Sequence, residues 1–110
     1  MSEIAFKKMK INFLFSKTYD FLMELDDISV GKINNSLGLL EKYGNTISYP
    51  HTKPLGGGAF ELRVIGRKSI RIFFIFKNNE AYILHAIMKK TEKLSRKDID
   101  YVLRLKKELR

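Results

Sequence analysis

Residues 59–88 leave this chain few folds to choose from. From Ala59 to Ile65, Phe60, Leu62 and Val64 alternate with Glu61 and Arg63. That period of two is the pattern of a half-buried strand. Gly66-Arg67-Lys68 turns the chain, and a second strand is predicted from about Ser69 to Lys77. Asn78-Asn79 suits a two-residue hairpin, because Asn tolerates positive φ. A third strand is predicted over Ala81 to Met88. Three strands joined by turns this short make an antiparallel meander.

The flanks supply helices. Lys8 to Phe13 alternates polar and apolar side chains and reads as another strand. Ser16 is placed to cap a short helix carrying Phe21, Leu22 and Leu25. After Asp26-Asp27, Asp27 or Ser29 opens a second helix to about Tyr43. Its Val30, Ile33, Leu37 and Leu40 recur at helical spacing, and Gly44-Asn45 stops it. Residues 45–58 hold both prolines and Gly56-Gly57-Gly58, so they read as a loop. Ser95-Arg96-Lys97-Asp98 resembles a capping box. The helix it opens carries Ile99, Val102, Leu103 and Leu109 as its apolar stripe, and ends in Lys106, Lys107 and Arg110. The expected fold is α+β, in the order β-α-α-β-β-β-α. Two N-terminal helices pack on a small antiparallel sheet, with the helices on one face and the other face open for a site.

The 110 residues form one expected domain, 1–110, long enough for one core without covalent staples. With no Cys, disulfides, thiolate metal sites and a cysteine nucleophile are excluded. The longest apolar run, Ile72 to Phe76, falls far short of the ~20 residues a membrane span needs. A soluble, cytoplasmic protein with no membrane partner is expected.

Charge points to a partner. Residues 1–58 hold seven basic and six acidic side chains, and residues 59–110 hold fourteen and six. A field this one-sided favours a polyanion, since each neutralised phosphate releases condensed counterions. No HExxH, CxxC or paired-His spacing occurs, no phosphate-binding glycine loop is recognisable, and carboxylates are too sparse for a two-metal nuclease. No metal or cofactor is therefore expected. What remains is a set of cations on a compact scaffold. Arg63 and Arg71 lie on adjacent strands, Lys89 and Lys90 follow the third strand, and Lys93 comes next. His85 lies within that strand, Lys53 precedes the meander, and Arg67 and Lys68 occupy its first turn. RNA can be cleaved without metal when its 2′-hydroxyl attacks the adjacent phosphate. The protein must then move protons and stabilise the developing oxyanion. Arg suits the second task, with a fork that keeps its charge. Glu61 beside Arg63 equally fits an ordinary strand-surface pair, and His85 fits a core or edge position better than a catalytic one.

Lys53-Pro54-Leu55, the glycine-rich step and Phe60-Glu61-Leu62-Arg63 together resemble a segment of the phage-derived branch of the RelE/HigB toxin superfamily. Ile70-Arg71-Ile72-Phe73-Phe74 and His85-Ala86-Ile87-Met88-Lys89-Lys90-Thr91-Glu92-Lys93-Leu94 are similar to that family's next two strands. The resemblance covers residues 53–109. It implies a RelE-like, microbial-ribonuclease-type sheet and a type II toxin that cleaves mRNA on the ribosome. It also implies a cognate antitoxin of helix-turn-helix type as partner. By position, Arg63, Arg71, Lys89 and Lys90 would be catalytic, and Lys53, Lys93, His85, Arg67 and Lys68 would bind RNA. Phe73-Phe74 stands where many relatives place a Tyr, and Leu94-Ser95 replaces their Thr-Pro. Tyr101 is the one C-terminal candidate for an acid or base, so the general base is unassigned. Arg71→Ala is expected to stop cleavage with the fold kept. Two other readings compete: a non-catalytic RNA- or ribosome-binding module, and a basic face that serves only an acidic protein partner.

Overall fold

A computed structural model describes residues 8–48, 50–66, 68–89 and 93–109. Its elements are β1 (Ile11–Phe13), α1 (Ser16–Met23), α2 (Asp27–Tyr43), a 3₁₀ turn (Gly44–Thr46), β2 (Thr52–Gly56), β3 (Ala59–Val64), β4 (Ile70–Lys77), β5 (Glu80–Met88) and α3 (Arg96–Glu108). The five strands form one sheet in the order β1-β5-β4-β3-β2.

The meander forms as its alternation dictates. β3 pairs antiparallel with β4, and β4 with β5. Asn78 and Asn79 carry the connecting turn at φ +53° and +62°. Gly44 closes α2 at φ +54°, and Ser95 and Asp98 complete the capping box of α3. The cap of α2 is Asp26, one residue before the expected start, whose carboxylate accepts from the Ser29 backbone N–H at 3.1 Å. Ser16 is the first helical residue of α1 rather than its cap.

Three expectations are corrected. First, the sheet is mixed: β1 pairs in parallel with β5, and it is shorter than the expected strand from Lys8. Second, the expected loop at 45–58 contains the 3₁₀ turn and the whole of β2, which pairs with β3. Pro54 is tolerated there because β2 is an edge strand, where one N–H has no ladder to join. Gly56, Gly57 and Gly58 take φ of +91°, +61° and +83° and make the turn into β3, a conformation that side chains with a Cβ resist. Third, the helices do not share one face. α1 and α2 cover one side, where Leu22, Ile33 and Leu40 meet Leu62, Ile72, Phe74 and Ile83. α3 lies on the other side, where Val102 and Leu105 meet Phe73, Ile75 and Leu84. Leu105 is buried and Leu109 is not, so the stripe of α3 turns slightly from the expected one.

A bulge between Phe73 and Phe74 shifts the register, so Phe73 faces His85 while Phe74 faces Ile83. The extra residue lets two successive side chains, Leu84 and His85, turn to the α3 side. α3 covers only part of that face. The end of the sheet that carries Arg63 and Arg71 lies beside the helix's N-terminus, and there a cleft opens.

Candidate functional site

The cleft is built from strand alternation. β3 sends Phe60, Leu62 and Val64 into the α1–α2 core, which leaves Ala59, Glu61 and Arg63 for the opposite face. β4 follows the same rule and puts Arg71 on that face, directly across from Arg63 in the register. β2 adds Lys53, the register partner of Glu61. Leu94 and Ile99, at the entry and first turn of α3, form the far wall. Lys53, Pro54, Leu55, Glu61, Arg63, Arg71, Lys93, Leu94 and Ile99 enclose an open cleft of about 230 Å³. Four cations and one carboxylate share it with four apolar side chains.

Glu61 is the hinge of its electrostatics, and sequence reasoning did not select it as a site residue. Its Oε1 lies 3.4 Å from Arg63 Nε and its Oε2 lies 3.7 Å from Arg71 Nη1. Glu61 is 3% exposed and Arg71 2%, whereas Arg63 is 28% exposed. A buried carboxylate and a buried guanidinium are tolerable only together, because either alone would be an uncompensated charge in a poorly polarisable interior. One sequence signal pointed to Glu61: it is the single carboxylate within the β3–β4 pair, which also carries two arginines. Arg71 is correspondingly less accessible than the open-face position expected for it. Removing it is therefore expected to weaken the fold as well as to empty the site.

Lys89 lies two residues past Ile87, the register partner of Arg71, and its ammonium bonds to Asp98 Oδ2. That bond, together with those from Ser95, holds the Asp98 carboxyl below the ordinary value of 3.8. Lys89 is thus tied to the first turn of α3 and is not among the residues that line the cleft. Lys93 lines it.

His85 is elsewhere. It stacks on Phe73 at 6.1 Å and meets Tyr101 edge-on at 4.8 Å. Ile99 faces the cleft and Tyr101 faces His85, and residues two apart on a helix point to opposite flanks. His85 is not among the residues that line the cleft. Burial lowers the His85 pKa below its usual 6.5, Asp98 opposes the shift and Lys17 adds to it. Lys68 is tied to Asp26 at 2.7 Å, beside a second cleft between α2 and the β3–β4 turn. The Lys68 and Ser29 hydrogen bonds hold Asp26 well below the normal carboxylate range. Arg67 and Lys90 lie outside the described residues.

Among the described residues, no group of three His, Cys, Asp or Glu side chains is placed to hold a metal ion. No helix among them is long and apolar enough to cross a membrane. Fold and site together define a small α+β protein with a cationic cleft on one face of a mixed sheet. The chain belongs to the phage-derived protein Gp49-like family (DUF891), whose family model matches residues 20–107. No curated protein matches it.

Proposed function

We propose that this chain is a RelE/HigB-type toxin: a metal-independent endoribonuclease that cuts mRNA on the ribosome and is restrained by an antitoxin. The observation that carries this reading is the convergence of Lys53, Arg63, Arg71 and Lys93 on one cleft from four separate segments. Membership of the Gp49-like family supports it. In such a cleft the 2′-oxygen attacks the adjacent phosphorus, the bond to the 5′-oxygen breaks, and negative charge builds on the equatorial oxygens. Fixed guanidinium groups stabilise that charge more than the ground state, which is what acceleration requires. The apolar wall of Leu94 and Ile99 gives a base a dry surface beside the phosphate. On this reading the sheet is a RelE-like, microbial-ribonuclease-type scaffold and the protein acts in the cytoplasm.

The test is purified protein in a translating extract, with mRNA ends mapped by primer extension, beside the same RNA without ribosomes. Cuts that need ribosomes are expected. A second reading, a non-catalytic RNA-binding module, is favoured by one observation: no His or Tyr is among the described residues lining the cleft. It predicts salt-sensitive sedimentation with ribosomes and no cuts in either tube.

A further inference from the structure

We infer that the two arginines of the cleft have different roles: Arg63 touches the scissile phosphate, while Glu61, braced by Arg71, is the positioning residue that aims it. This rests on the ribonuclease reading and refines it.

Exposure separates the two arginines. Arg71 is 2% exposed and faces the equally buried Glu61, so a phosphate could reach its guanidinium only by opening the packing around it. Arg63 is 28% exposed and lines the same cleft. The bond geometry gives the same division. Glu61 engages Arg63 through Nε, at 3.4 Å, which leaves the two terminal nitrogens of the fork for a phosphate. The other carboxylate oxygen faces Arg71. Glu61 is thus fixed on one side by a buried cation and fixes the orientation of an accessible one on the other. A side chain with Arg's rotamer freedom gains most from such a brace, because a group misplaced by about 1 Å can cost 10²-fold in rate. The two arginines are cross-strand partners in register, so the arrangement follows from the pairing of β3 with β4.

The sign of the effect distinguishes aiming from simple charge. Removing the Glu61 carboxylate makes the cleft more positive, so RNA should bind at least as well. If Glu61 aims Arg63, cleavage should nevertheless fall. Glu61→Gln, Glu61→Asp, Arg63→Ala and the double variant Glu61→Gln/Arg63→Ala are compared, each checked for folding by circular dichroism. Cleavage is followed in a translating extract, and affinity is measured with a labelled, uncleavable 2′-deoxy oligonucleotide over a salt series. Glu61→Gln is expected to bind no more weakly than wild type and to cleave about ten- to hundred-fold more slowly. Arg63→Ala is expected to lose both, with a salt slope shallower by about one. The double variant should be no slower than Arg63→Ala, since the brace has nothing left to aim. Cleavage by Glu61→Gln at the wild-type rate, or losses that multiply in the double variant, would overturn the inference. Glu61→Asp keeps the charge facing Arg71 and withdraws the carboxylate by one methylene. It gives the same split between binding and rate if Glu61→Gln does not fold.

Absence of cleavage by wild type would defeat the ribonuclease reading by itself. The aiming role is then read from the Arg63 Nε–H resonance. A sharp signal that shifts with the oligonucleotide and collapses in Glu61→Asp sustains it. A signal indifferent to both refutes it.

Discussion

Replacing Arg71 with Ala should cost far more stability than a surface arginine normally would. The side chain is 2% exposed and faces Glu61, itself 3% exposed, across 3.7 Å. Breaking a buried pair by deleting one member leaves a buried charge and typically costs about 3–5 kcal/mol. Arg63 still reaches the other carboxylate oxygen at 3.4 Å and partly compensates, so the lower end, about 3 kcal/mol, is expected. A domain of this size has roughly 5–15 kcal/mol of net stability, so the variant folds but is weakened. At about 3–6 °C per kcal/mol for this length, the midpoint should fall by about 10–15 °C. Urea denaturation followed by circular dichroism measures the loss directly, with an unchanged slope showing that two-state unfolding persists. The double variant Glu61→Leu/Arg71→Met should recover most of it, because an apolar pair of similar volume removes both desolvated charges at once. An Arg71→Ala protein within about 0.5 kcal/mol of wild type would refute the reasoning, since that is the ordinary range of a solvated surface site.

Other perturbations probe the helices, a glycine turn and His85. Asp98→Asn removes the partner of Lys89 and half the capping box, and should cost about 1 kcal/mol at neutral pH. Because folding depresses the Asp98 pKa, its contribution is complete above 3.8 and is lost as pH falls through the lowered folded value. The gap between wild type and variant should therefore close below pH 3.8 in an acid-to-neutral denaturation series, and a constant gap would contradict the linkage. Gly57→Ala would place a Cβ 2.9 Å from Leu103 Cδ2 at φ +61°, so a loss of about 1–2 kcal/mol is expected. Gly31→Ala, in α2 with nothing within 4 Å of the new carbon, should gain about 0.5–1 kcal/mol on the same denaturation curve. By NMR, His85 should titrate below 6.5, and lower still in Asp98→Asn, because Asp98 is the charge that opposes the shift. A titration above 6.5 would mean that the imidazole is not desolvated.

The meander, both long helices and the two caps were legible because each rests on local chemistry: alternation, Asn at positive φ, Gly at a helix end, Ser three residues before Asp. β2 was hidden by its own composition. Proline and three glycines suit an edge strand and its turn as well as they suit a loop, and only pairing with β3 decides between them. The parallel pairing of β1 and the placement of α3 on the second face are tertiary choices that carry no local signature. The cleft was half legible. Lys53, Arg63, Arg71 and Lys93 were named from order and charge, and all four line it. Glu61 was seen as a neighbour of Arg63, but burial gives it a different meaning, and burial is not visible along a strand. His85 owes its place on the α3 face to a bulge of one residue, which no local pattern announces, and there it meets Phe73 and Tyr101 rather than the cleft.

The parallel seam between β1 and β5 bears on how the molecule assembles. Asn12 donates to Glu80 at 2.9 Å across 68 residues of chain, whereas β3, β4 and β5 follow one another through short connections. Closing a long loop loses more entropy than closing a hairpin, so the meander can form early and β1 docks late. During synthesis β1 emerges long before its partner β5 exists, and its backbone must stay solvated until β5 arrives. The N-terminal strand and helices are thus made first and fixed last. The arginine pair, set by the β3–β4 hairpin, can reach its register before the rest of the core has closed around it.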